Sequence, residues 1–234
     1  MKKIMWAFSF LSLIGTAIAI AFLPESVPMH YDMAGHIDRW GSRYEALIFP
    51  IIILLLSLLW TLLIGYFERK AQKAAEEKER AGAQSNANVL GIAGVSMAVM
   101  FTVMQAFMLY GAYNEAVAGA AIKTVDFGKV CTILMGIVLI VLGNFMTKTR
   151  RNHFVGVRIP WSMYNDTTWR KSNRFGAYAL MIAGALTILI AVFMKNTVGA
   201  MMAMLALVVS AAVVTVIYAH KVYVQEIKAE KGET

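Results

Sequence analysis

The sequence has 234 residues, of which 59% are hydrophobic and only 15% charged, with a formal net charge of +8. A soluble domain is about half apolar and a quarter charged, so a large soluble domain is excluded. The single cysteine, Cys131, lies in an apolar run, which excludes an internal disulfide and a cysteine-built zinc site and leaves it a packing role.

In chain order the apolar residues gather into six blocks without Asp, Glu, Lys, Arg or His: Ile4–Leu23, Ala46–Phe67, Val89–Tyr110, Val130–Met146, Gly176–Met194 and Val198–Ala219. About 20 apolar residues in a helix match the ~30 Å hydrocarbon core of a bilayer. The sequence therefore predicts an all-α, polytopic integral membrane protein with about six transmembrane helices. The first block reads as an uncleaved signal anchor, because its apolar run is longer than a signal-peptide core.

Lys and Arg set the orientation. With the N-terminus inside, 17 basic residues fall in inner segments and five (Arg39, Arg43, Lys123, Lys129, Lys195) in outer ones. Both termini are thus expected in the cytoplasm. The excess of positive charge is a topology signal, and no direct nucleic-acid binding is expected.

Four regions follow from this reading. Residues 1–67 form a helical hairpin with an ordered extracellular loop over 24–45. Residues 68–88 form a cytoplasmic helical linker, rich in helix formers, which prolongs the second helix until Gly82, Ser85 and Asn86 break it. Residues 89–219 form a four-helix membrane region with a basic cytoplasmic loop at 147–175, and 220–234 form a cytoplasmic tail. Three spans per half would place the halves in opposite orientation, as in inverted-repeat transporters.

The outer connection carries Pro24 and Pro28, which stop the first helix, and Tyr31, Trp40 and Tyr44, which suit the headgroup level. Within it His30, Asp32, His36 and Asp38 have the side chains of a zinc-type site. Both aspartates also suit turn formation, so loop hydrogen bonding and a divalent metal are two open readings. The inner connection has seven basic residues and one acid, Asp166. Pro160 and Trp161 are expected to bury in the interface while Arg158 and Arg170 reach phosphates. Asn165 or Asp166 is expected to start a short surface helix. The spans lack ionisable groups, so no proton relay or ion pathway is read in them. Gln105 and Asn144 are expected to hydrogen-bond between helices, and Met97, Met100, Met104 and Met108 to pack or face lipid. No nucleotide or metalloprotease motif is present, and no enzyme activity is expected.

Two stretches form a specific combination. The outer one is Leu23-Pro24, Val27-Pro28-Met29-His30, Gly35 and Asp38-Arg39-Trp40-Gly41-Ser42. The inner one is Gly143-Asn144, Arg151-Asn152, Val155-Gly156-Val157-Arg158-Ile159-Pro160-Trp161, Trp169, Asn173-Arg174 and Gly176. Together they resemble the SdpI family of bacterial membrane immunity proteins and its accompanying N-terminal domain. Asn173 departs from the His that many members carry.

The resemblance implies a multi-pass protein of the bacterial plasma membrane that protects against a secreted hydrophobic peptide toxin. It also implies a relay of toxin binding to a cytoplasmic repressor, with no cofactor. The implied site residues are Pro28, His30, Gly35 and Asp38 outside. Inside they are Asn144, Asn152, Gly156, Arg158, Pro160, Trp161, Trp169, Asn173 and Arg174, for a partner or membrane lipid. Two alternatives compete. One is a small membrane enzyme or transporter with zinc or another divalent metal at His30, Asp32, His36 and Asp38. The other is a lipid-headgroup binder or flippase using Arg158, Arg170 and Arg174.

Overall fold

A computed structural model describes residues 1–32, 36–119, 124–147, 151 and 156–232. Gly35 and Asn152 lie outside the described residues. Helices α1 (Lys2–Ile20), α2 (Ile48–Lys73), α3 (Glu77–Ala118), α4 (Phe127–Met146), α5 (Asp166–Phe193) and α6 (Thr197–Glu230) are all long and apolar enough to cross a membrane. Their outward faces are apolar, with Ile14, Leu55, Ile182, Leu205 and Ile217 at least half exposed. That is the surface a bilayer covers. Helices α1–α3 pack with one another, α4–α6 do likewise, and α3 joins α4.

Small and hydroxylated residues make the helix contacts, as expected where lipid tails remove any hydrophobic advantage from helix association. Along α1 the buried stripe is Met5, Ser9, Ser12, Thr16 and Ile20. The Ser9 and Ser57 hydroxyls lie 2.7 Å apart, and Trp6 Nε1 donates to Thr61 Oγ1 at 3.0 Å. Gln105 Nε2 donates to Thr16 Oγ1 at 3.0 Å and to the Ala46 carbonyl at 3.1 Å, which ties α3 to α1 and to the turn before α2. That interhelical role was expected. Asn144, by contrast, is exposed near the end of α4. Helices α4 and α5 meet backbone to backbone: a Cβ added to Gly136 would lie 2.8 Å from the Gly184 carbonyl oxygen, and one added to Gly184 2.6 Å from that of Gly136.

Two connections differ from the sequence expectation. The second helix does not run on to Gly82. It ends at Lys73, and α3 begins at Glu77 after extended backbone at Ala74 and Glu76. Charge explains the place of this elbow. Lys70 and Lys73 sit in the last turn of α2, Glu77 and Glu79 in the first turn of α3, and each set favours the helix dipole it faces. Arg80 Nη2 also donates to the Ala74 carbonyl at 3.1 Å. Residues 77–88 thus belong to α3. The helix begun by Asn165 is no short surface piece either, but the first turns of α5. Asn165 Oδ1 accepts from Thr168 N at 2.8 Å, and Thr168 Oγ1 accepts from Asn165 N at 3.0 Å.

The outer connection is a β-hairpin, β1 (Ser26–Tyr31) with β2 (Ile37–Ser42), antiparallel and irregular around His30. Leu23 and Val27 pack with Ile20 of α1 and Ala112 of α3, which seats the hairpin on two helix ends. A 3-10 turn over Arg43–Leu47 leads into α2. Ser42 and Glu45 cap it reciprocally, and Glu45 also pairs with Arg39 at 3.0 Å.

Candidate functional site

The hairpin lies over one end of the bundle, and beneath it is a cavity of about 560 Å³. Met29 of β1, Phe107 and Met108 of α3, Phe127 of α4, and Met201 and Met202 of α6 give it an apolar wall. Methionine is flexible and polarisable, so such a wall adapts to irregular apolar partners. Met108, expected to pack or to face lipid, lines this cavity.

The polar content of the cavity centres on Glu115, which is 1% exposed. Its Oε2 accepts from the Tyr31 hydroxyl at 2.5 Å. Its Oε1 accepts from Thr124 N at 2.5 Å and from Thr124 Oγ1 at 3.1 Å. Three donors hold a carboxylate that would otherwise be costly to bury. Burial, with the Glu115 hydrogen bond and charge, pushes the Tyr31 phenol well above its ordinary range. Nearby, Asp126 accepts from Lys129 N at 3.1 Å, capping α4, and from the Thr197 hydroxyl at the start of α6. The hairpin, α3, α4 and α6 are thus joined by carboxylates around one cavity.

Sequence reasoning missed Glu115, because the apolar block stops at Tyr110 whereas α3 continues to Ala118. A signal was present. Ala98, Gln105 and Ala112 repeat every seven residues on the buried face of α3, and Glu115 follows one turn later on that face.

The four residues weighed as a metal set do not converge. His30 Nδ1 pairs with Asp38 at 2.6 Å, His36 Nδ1 pairs with Asp32 at 3.0 Å, and all four side chains are substantially exposed. Among the described residues no three His, Cys, Asp or Glu side chains are grouped to hold a metal. Pro28 and His30 line the cavity under the hairpin.

The inner segment divides into an inside and an outside. Asn173, 2% exposed, accepts from Val157 N at 2.8 Å and donates to the Trp169 carbonyl at 3.0 Å. Gly156 has φ +110, and a Cβ there would lie 2.2 Å from Asn173 Oδ1. Ser162 is buried and ties Val157 to Ile159. Asn173, Trp169 and Gly156 therefore hold the segment together. Arg158, Pro160, Arg170 and Arg174 are exposed, while Trp161 is half-buried against His220 of α6, ring centroids 4.6 Å apart.

The region expected to be a tail is mostly α6 itself, bound to this segment. Tyr164 donates to Glu230 Oε2 at 2.6 Å, and Asn165 Nδ2 to Glu226 Oε1 at 3.1 Å. The Tyr164 and Tyr223 rings meet edge to face at 5.1 Å.

Comparison with known proteins bears on both ends of the molecule. A model of the SdpI/YfhL protein family matches residues 148–219, and a domain of unknown function, DUF1648, matches residues 7–54. The chain is also similar to the immunity protein SdpI of Bacillus subtilis (strain 168), 23% identical over 214 residues and covering 91% of each chain. The similarity to the SdpI/YfhL family thus lies in the C-terminal part of the chain, and that to DUF1648 in the N-terminal part. No solved structure matches it. With six spans and this similarity it is a multi-pass bacterial membrane protein. The hairpin lies within the DUF1648 match, and the inner segment with α5 lies within the SdpI/YfhL match. Glu115 lies in neither.

Proposed function

We propose that this chain is a non-enzymatic immunity protein that protects its cell from a secreted hydrophobic peptide. The single observation that carries the reading is the cavity under the hairpin, about 560 Å³ and walled by methionine and phenylalanine around the Glu115 carboxylate. Such a wall accepts apolar side chains of varied shape, and the B. subtilis relative is itself named an immunity protein. The basic end faces the cytoplasm in this reading, by the excess of Lys and Arg there.

The same reading gives a route for a relay to a cytoplasmic repressor. Helix α6 begins at the cavity with Val198, Met201 and Met202 and ends on the inner segment through His220, Tyr223, Glu226 and Glu230. Its 34 residues span about 51 Å at 1.5 Å each. A shift at its outer end therefore reaches the exposed Arg158, Arg170 and Arg174, the surface offered to the partner. Expression in a sensitive bacterium challenged with the killing peptide tests the reading. Survival above that of cells with empty vector is expected, and equal killing with the protein in the membrane contradicts it.

A further inference from the structure

At the basic end the α2–α3 elbow and the inner segment enclose a second cavity, about 620 Å³ in volume and separate from the one under the hairpin. Three cations from three parts of the chain line it: Lys70 of α2, Lys78 of α3 and Arg151. Among the described residues neither lysine makes an ion pair. Arg151 is held in place by Asp166, Nε to Oδ1 at 3.1 Å, and by the Met163 and Tyr164 carbonyls at 3.3 Å. Tyr66, Phe67 and Met163 supply an apolar wall on one side. The uncharged run of α2 stops at Phe67, and charge begins with Glu68 and Arg69. The cavity therefore straddles the level at which hydrocarbon gives way to headgroups.

Asn86 marks the inner wall. It is 6% exposed, lines this cavity, and its Oδ1 has no hydrogen-bond partner. A buried amide oxygen left without a donor is costly, so the cavity asks for a donor as well as an anion. The ionised phosphate of a diester itself supplies only acceptors. A phosphodiester that ends in a hydroxyl or an ammonium supplies both.

We propose that this cavity binds a phosphodiester headgroup bearing its own hydrogen-bond donor. The phosphate lies among Lys70, Lys78 and Arg151, and the donor reaches Asn86 Oδ1. Glu79, also on the wall, adds a second acceptor for that donor. The apolar wall takes the first carbons of an acyl chain where the ligand is a lipid. This site is distinct from the exposed Arg158, Arg170 and Arg174.

The test is native mass spectrometry and thermal unfolding of the full chain in detergent. Phosphatidylglycerol, phosphatidylethanolamine, phosphatidylcholine and soluble glycerophosphoethanolamine are added in turn. The first two lipids should be retained several-fold more than phosphatidylcholine, whose headgroup has no donor. Lys70→Gln with Lys78→Gln, both at exposed positions, should reduce that retention several-fold. Asn86→Leu should remove the preference over phosphatidylcholine. A rise in melting temperature with glycerophosphoethanolamine as large as with the lipids, lost in the double lysine variant, supports the site with a soluble source. Equal retention of the three lipids, no retention of any ligand, or retention unchanged in the double lysine variant overturns the proposal.

Discussion

The Tyr31 hydroxyl donates to Glu115 Oε2 at 2.5 Å, joining the hairpin to α3 across 84 positions of sequence. This bond seats the hairpin over the cavity and supplies one of the three donors that hold a buried carboxylate. Tyr31→Phe removes it while keeping the ring. A hydrogen bond to a charged group contributes about 1.5–3 kcal/mol, so the variant should melt several degrees lower in detergent. An unchanged melting temperature would show that the hairpin is held by its apolar contacts alone.

The raised Tyr31 phenol carries a pH signature. The unfolded phenol titrates near 10 and the folded one higher, so the folded state holds more protons in that window. Stability from this group is therefore full below about pH 10 and falls as pH rises beyond it. The wild type should lose more of its melting temperature between pH 9.5 and 11 than Tyr31→Phe does. Parallel curves for the two proteins would contradict this.

Gly156→Ala should be among the most damaging changes in the inner segment. It forces a side chain onto a residue with φ +110 and into Asn173 Oδ1. Strain of this kind costs about 1–3 kcal/mol, and the bond from Val157 N is lost with it. Low membrane yield and a reduced melting temperature are expected. Arg158→Ala and Arg174→Ala, both exposed, should leave yield and melting temperature unchanged.

Tyr164→Phe cuts the tie to Glu230 at an exposed position. Global melting should not change, but amide exchange over residues 223–230 should accelerate, because this end of α6 is held by Tyr164 and Asn165. Exchange as slow as in the wild type would mean that the α6 end is stable by itself.

How much of this was legible beforehand depended on the periodicity and length of the segments. The six spans follow from long uncharged blocks, and Gln105 from being a lone amide among them. The hairpin was hidden because its strands are six residues long and carry Pro28 and Gly41, with no alternation of apolar and polar residues. The elbow was hidden because Ala74 and Ala75 are strong helix formers and Gly82 is the breaker by propensity, yet charge placement decided the matter. Among the inner motif residues, sequence alone does not separate Asn173 and Gly156, which hold the segment together, from Arg158 and Arg174, which face outward. That division depends on the positive φ at Gly156 and on the folding of Val157 onto α5.

The most direct test of the central claim fills the cavity without removing any of its polar groups. Gly111 faces it from α3, and a Cβ there would make only ordinary contacts, at 3.7 Å, with Glu115 and Val125. Gly111→Leu occupies the space and favours the helix. At Gly15 on α1 an added Cβ meets nothing within 4 Å, so Gly15→Leu is the control. Survival of a sensitive bacterium under the killing peptide should be lost with Gly111→Leu and kept with Gly15→Leu at equal membrane levels. Full protection by Gly111→Leu would contradict the cavity as the site of immunity.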